Sequence, residues 1–158
     1  MMESVYLMDA CAIFAFFQLA DPDSTEYLNR LNISKKLKKI FYKMLIEEIN
    51  IIIPVPALAE FMYKLFKNQR IEKFNIFIEE LEKRKNFDFY AWDYKVLKRM
   101  GKKLTNNIRK IEDYSKENRK SLELFDLCIY AVAKVNNITK ILTRDQVFCD
   151  LFDLRTIW

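Results

Sequence analysis

Histidine is absent from this 158-residue chain. That removes the imidazole base, Ser-His and Cys-His pairs, and every histidine metal ligand. Glycine occurs once, at Gly101, although average usage is about 7%. Phosphate loops and dinucleotide fingerprints need two or three glycines at fixed spacing, so both are excluded. Cys11, Cys128 and Cys149 form no CxxC pair and lie in apolar stretches, so buried, reduced thiols are expected. The apolar run Ala10 to Phe17 is preceded by Glu3 and Asp9 and by no Lys or Arg. That is the wrong polarity for a signal peptide, and the run is too short to cross a bilayer. A cytoplasmic protein with no membrane partner is expected. Enzyme chemistry must come from carboxylates, Lys/Arg, hydroxyls or thiols.

What remains is rich in core material: 51% of residues are hydrophobic and 15% aromatic, enough for one domain over residues 1–158. The net charge of +5 is uneven. Residues 34–110 hold 19 bases and nine acids, whereas residues 1–33 hold one base and five acids. A basic middle suits a polyanion such as nucleic acid, and solvated Lys-rich helices explain it equally well. The basic segments Lys35 to Lys43 and Lys95 to Lys110 are the candidates for backbone contact.

Short apolar runs alternate with helical patterns. Strands are expected at Val5–Met8, Asn50–Ile53, Phe87–Trp92, Ile138–Leu142 and, as an edge, Leu154–Trp158. Helices are expected at Ala10–Leu19, across 24–48 with a break near Asn32-Ile33-Ser34, at Ala57–Lys67 after Pro56, at Ile71–Lys85 and at Asp93–Lys110. The last carries an apolar stripe of Leu97, Met100, Leu104 and Ile108. Residues 111–120 read as a loop, and Ser121 as the cap of a helix from Leu122 to Val135. A short helix is expected after Asp145. Such alternation predicts an α/β fold with a central parallel sheet of four or five strands flanked by helices.

Four acids stand in apolar company: Asp9 in VYLMDACAIFAFF, Glu60 in PVPALAEFMYKLF, Asp126 in LFDLCIYAVA, and Asp145 between KILTR and QVF. An ionised carboxylate there costs several kcal/mol unless compensated. Asp9 and Asp145 fit plain helix N-caps, and Glu60 fits a pair with Lys64. Asp126 is harder to explain, because its helix is apolar on nearly every side. In a parallel sheet, strand ends and helix starts share one edge, so all four are expected to project there. Clustered carboxylates repel one another unless cations intervene. Such hard-oxygen sites suit Mg²⁺ or Mn²⁺, which can activate water and neutralise phosphate.

The strand-then-Asp at VYLMDACAIFAFF, the PALAE helix, the DLCIYAVA helix and the ILTRD strand end resemble a PIN domain over nearly the whole chain. That family comprises metal-dependent nucleases, including VapC-like toxin ribonucleases. The resemblance implies Asp9, Glu60, Asp126 and Asp145 as catalytic, metal-binding acids for Mg²⁺ or Mn²⁺, with the Thr143 hydroxyl in their hydrogen-bond network. It implies an endoribonuclease that hydrolyses phosphodiesters of single-stranded RNA to leave a 5′-phosphate. It also implies a homodimer and opens a toxin role with an antitoxin protein as partner. The aromatic helix with Phe14, Phe16 and Phe17 is a candidate interface, or else plain core. A non-catalytic PIN-fold module that binds RNA or protein is the alternative. A small-substrate phosphohydrolase of the haloacid-dehalogenase pattern would need a second Asp where Cys11 stands.

Overall fold

A computed structural model describes residues 4–21, 32–118 and 123–158. Five strands form one parallel sheet in the order β3-β2-β1-β4-β5, with β1 Val5–Met8, β2 Asn50–Pro54, β3 Phe87–Tyr90, β4 Lys140–Leu142 and β5 Arg155–Ile157. Among the described residues the helices are α1 Ala10–Ala20, α2 Lys35–Leu45, α3 Val55–Lys67, α4 Glu72–Glu82, α5 Tyr94–Asn118, α6 Leu124–Val135 and α7 Val147–Asp150. The expected α/β architecture is therefore present. No helix among the described residues is long and apolar enough to cross a membrane.

The central strands and two helices carry the core. Leu7, Met8, Ile51, Ile53, Ile141 and Leu142 are all buried. Every residue of α6 from Leu127 to Ala133 is buried, so this helix is enclosed on all sides, as its unbroken apolar sequence requires. Helix α1 is similar. Phe16 and Phe17 are buried and, with the half-buried Phe14, meet the rings of Phe41, Phe61, Phe77 and Phe87. Phe16 and Phe17 are therefore core and not an interface.

Several boundaries differ from the sequence reading. Ser34 caps α2 through its Oγ, which accepts the Leu37 N–H at 3.1 Å. The helix stops at Leu45 and not at Glu48, because Glu47 takes a left-handed φ of 58°. Pro22 to Ser24, the expected start of the preceding helix, lies outside the described residues, as does Ser121. The α6 cap is instead Glu123. Residues 111–118 are helical because Ile111 and Tyr114 pack against the core.

The α5 stripe is also displaced. Val96 and Met100 are buried, whereas Leu97, Leu104 and Ile108 are exposed. The inward face continues through the stem of Lys103, whose Nζ donates to the Leu151 carbonyl at 2.9 Å and lies over the rings of Tyr130 and Phe152. A long cation thus occupies a position that periodicity assigns to an apolar residue. At Asn107 the helix kinks (φ −131°), and the side-chain Nδ2 donates to the Lys103 carbonyl at 3.1 Å, a local bond that competes with the backbone ladder.

The strand order positions the site. From β1 the chain builds β2 and β3 on one side, and β4 and β5 lie on the other. In such sheets ligands bind outside the carboxyl ends of the strands, where the order reverses. The registers Met8↔Leu142 and Leu142↔Ile157 bring Asp9, Thr143 and Trp158 to that edge side by side.

Candidate active site

Asp9 follows β1 and caps α1. Its Oδ1 accepts the Ala10 N–H at 2.6 Å, and its Oδ2 accepts the Thr143 hydroxyl at 2.7 Å. Cys11 donates a weaker Sγ–H bond to the same oxygen at 3.4 Å. Burial pushes the Asp9 pKa above the ordinary carboxylate value; the Thr143 and Ala10 bonds oppose this, and the Glu60 charge adds to it. Asp9 is thus both the helix cap and a buried acid of the cleft, two roles that the sequence presented as alternatives.

The remaining acids come from three other elements. Glu60 lies on α3, where Oε1 pairs with the Lys64 Nζ at 2.8 Å one turn on. Asp126 occupies the third position of α6 and accepts the Glu123 N–H at 3.3 Å. That contact is the partner its apolar helix did not reveal. Burial pushes the Asp126 pKa up to about 6, reinforced by the charges of Asp145, Asp9 and Glu123. Asp145 follows β4; its backbone N–H donates to the Thr143 hydroxyl at 3.0 Å, and its Oδ1 accepts the Val147 N–H at 3.1 Å.

Asp9, Glu60, Asp126 and Asp145 all line one cleft of about 420 Å³, together with Cys11, Lys64, Glu123 and Arg144. Thr143 does not line it. It is fully buried behind Asp9 and ties Asp9 to the Asp145 backbone. Cys11, Glu123 and Arg144 are cleft residues that the sequence reading did not single out. The available signal was their spacing, since each lies within three residues of one of the four acids. Neither basic segment supplies a lining residue; among the described residues the cations at the cleft are Lys64 and Arg144. Of the cysteines, only Cys128 is fully buried; Cys11 is half-buried and Cys149 is exposed.

The donor set suits a hard cation. It offers carboxylate oxygens, and burial pushes the Cys11 thiol up to about 12, so sulfur is held as a neutral thiol. Among the described residues no three acid or cysteine side chains form a ready-made metal cage. Mg²⁺ does not need one, because it keeps several waters and takes one or two carboxylates directly.

Solved structures with the same fold include VapBC2 from Rickettsia felis bound to a promoter DNA fragment (18% identity, 97% of each chain, TM-score 0.57). FitAcB from Neisseria gonorrhoeae is similar (18% identity, 98% of this chain and 96% of that one, TM-score 0.59). So is VapC20 of Mycobacterium tuberculosis, a sarcin-ricin-loop-cleaving toxin (10% identity, 96% and 99%, TM-score 0.57). At these identities the likeness is one of fold. No curated protein matches the chain by sequence. A family model described as PIN domain matches residues 6–152, nearly the full length, and the chain belongs to the PIN domain family.

Proposed function

We propose that this chain is a nuclease that hydrolyses phosphodiester bonds of single-stranded RNA with Mg²⁺ or Mn²⁺. The observation that carries the reading is the crowding of Asp9, Glu60, Asp126 and Asp145 in one cleft at the switch point of the sheet. Burial raises the Asp126 pKa, and the charges of Asp145, Asp9 and Glu123 add to it; a cation in the cleft would relieve that added repulsion. The four acids would hold the ion directly or through its waters. Once bound, the ion would activate water and offset the charge of the phosphate. Thr143 bonds the Asp9 carboxylate and the Asp145 backbone N–H from behind and so ties the two residues together. Lys64 and Arg144 at the cleft supply positive charge for phosphate oxygens.

The fold neighbours include VapBC complexes, and on this chain we propose an antitoxin protein and a second copy as partners. Exposed apolar side chains support this: Met62, Tyr63 and Phe66 on α3, and Tyr94, Leu97, Leu104 and Ile108 on α5. The test of the activity is cleavage of single-stranded RNA with Mg²⁺ or Mn²⁺, without metal, and in excess chelator. Cleavage that needs the ion and leaves 5′-phosphates is expected. Undiminished cleavage in chelator would sink the metal mechanism.

A further inference from the structure

Beside the acid cleft lies a second cavity of about 200 Å³, lined by Cys11, Phe14, Lys64, Asn68, Arg144 and Trp158. The two share Cys11, Lys64 and Arg144 and therefore adjoin. Their chemistry differs sharply. Among the described residues, five carboxylates line the first beside Lys64 and Arg144, whereas the second keeps those two cations, adds an amide and two aromatic rings, and has no acid; Lys64 also pairs with Glu60. Trp158 reaches this position because β5 pairs in register with β4, so the residue after Ile157 emerges next to Thr143 and Arg144. The Arg144 guanidinium lies 5.9 Å from the indole centroid. Lys64 lies on α3 and Asn68, one turn on, is its C-cap, while Cys11 and Phe14 stand one turn apart on α1.

We propose that this cavity is a nucleotide subsite in which a base of single-stranded RNA stacks against Trp158, while Arg144 and Lys64 contact the phosphate that leads into the acid cleft. The inference rests on the nuclease reading and adds where the strand lies. An aromatic face beside cations is the chemistry that binds unpaired nucleotides, because every base has a face to stack and every linkage a charge to meet. The volume lies below the roughly 300–1,000 Å³ of pockets for whole small molecules, which suits one base. The loss of the carboxylates from one cavity to the next sets the direction. The scissile phosphate needs an ion among the carboxylates, and the flanking nucleotide is held by protein cations. Phe14 makes the inner wall apolar, so a base displaces water there without burying an unpaired polar group.

The experiment uses the full chain carrying Trp92→Phe, which leaves Trp158 as the sole indole reporter. A ten-nucleotide single-stranded RNA is titrated in chelator, where no turnover is expected. Saturable change of Trp158 fluorescence is expected. Trp158→Leu should weaken binding roughly 5- to 100-fold, measured by anisotropy of labelled RNA, and Trp158→Phe should stay within about threefold of wild type. Arg144→Ala, at an exposed residue that does not threaten folding, should lower the salt slope of log K by about 0.7. In cleavage assays these losses should fall on KM. If wild type binds through Trp158 but never cleaves, the subsite stands and the nuclease reading fails. If wild type cleaves while Trp158 fluorescence and the Trp158→Leu affinity are unchanged, the subsite fails and the nuclease stands. Saturable fluorescence change with an acidic peptide and none with RNA would overturn the proposal and assign the cavity to a protein partner.

Discussion

Replacing Asp126 with asparagine separates charge from capping. Asn can still accept the Glu123 N–H through its side-chain oxygen, so the local bond at 3.3 Å survives. What disappears is an ionised carboxylate whose pKa stands near 6 against an ordinary 3.8. Taken in full, that difference is about 3 kcal/mol of destabilisation in the ionised state. Asp126 is partly open to solvent, and screening reduces the figure to about 1–2 kcal/mol. Losing a negative charge at the N-terminus of α6 takes back about 0.3–1 kcal/mol. The metal-free mutant should therefore gain about 1 kcal/mol at pH 7.5, a Tm rise of about 2–4 °C. The sign with pH follows from the raised value. The burden grows between the two values, where the unfolded chain is ionised and the folded one is not, and is complete above about pH 6. The advantage should shrink to a small fraction by pH 4. Thermal melts in chelator at both pH values, repeated with Mn²⁺ and set beside a cleavage assay, check this. A mutant that melts well below wild type at pH 7.5, or that keeps full activity, refutes the assignment of Asp126 to a charge-crowded ion site.

Thr143→Val should cost about 2–3 kcal/mol in denaturant melts, because it strips the buried Asp9 carboxylate of a 2.7 Å bond and leaves the Asp145 N–H without that acceptor; Thr143→Ser should restore most of it. Glu60→Gln should leave the melt within about 2 °C, since its pair with Lys64 is half-exposed and worth about 0–1 kcal/mol, yet should lower cleavage more than tenfold; full activity would remove Glu60 from the site. Sedimentation should reveal a species heavier than the 19.1 kDa monomer, and Leu104→Asp, on an exposed α5 position, should return it to monomer without a lower Tm; a monomer at high concentration would count against self-association.

Where an element's own residues decide its conformation, the sequence was readable. The runs VYLM, NIII and KIL are short, apolar and bounded by Asp, Pro or Thr, and each became a strand. Asp9 announced a helix start because a cap acts over one to three residues, and the break expected at Asn32-Ile33-Ser34 holds the Ser34 cap. The four acids stood out because a carboxylate in an apolar run demands compensation, a local and general cost.

What depended on distant partners was not readable. The exposed stripe of Leu97, Leu104 and Ile108 looked like a buried face, and only the packing of Val96, Met100 and Lys103 onto α6 and the 151–152 turn turned it outward. Residues 111–118 are polar enough for a loop, but contacts of Ile111 and Tyr114 with the core keep them helical. The cleft itself joins Asp9, Glu60, Asp126 and Asp145 across 136 positions of chain. By itself the sequence picked out four acids set in apolar runs. The parallel register and its reversal at β1 and β4 decided that they would meet, with Cys11, Arg144 and Trp158 beside them. Register is a property of paired strands, and no single segment encodes which neighbour it will face.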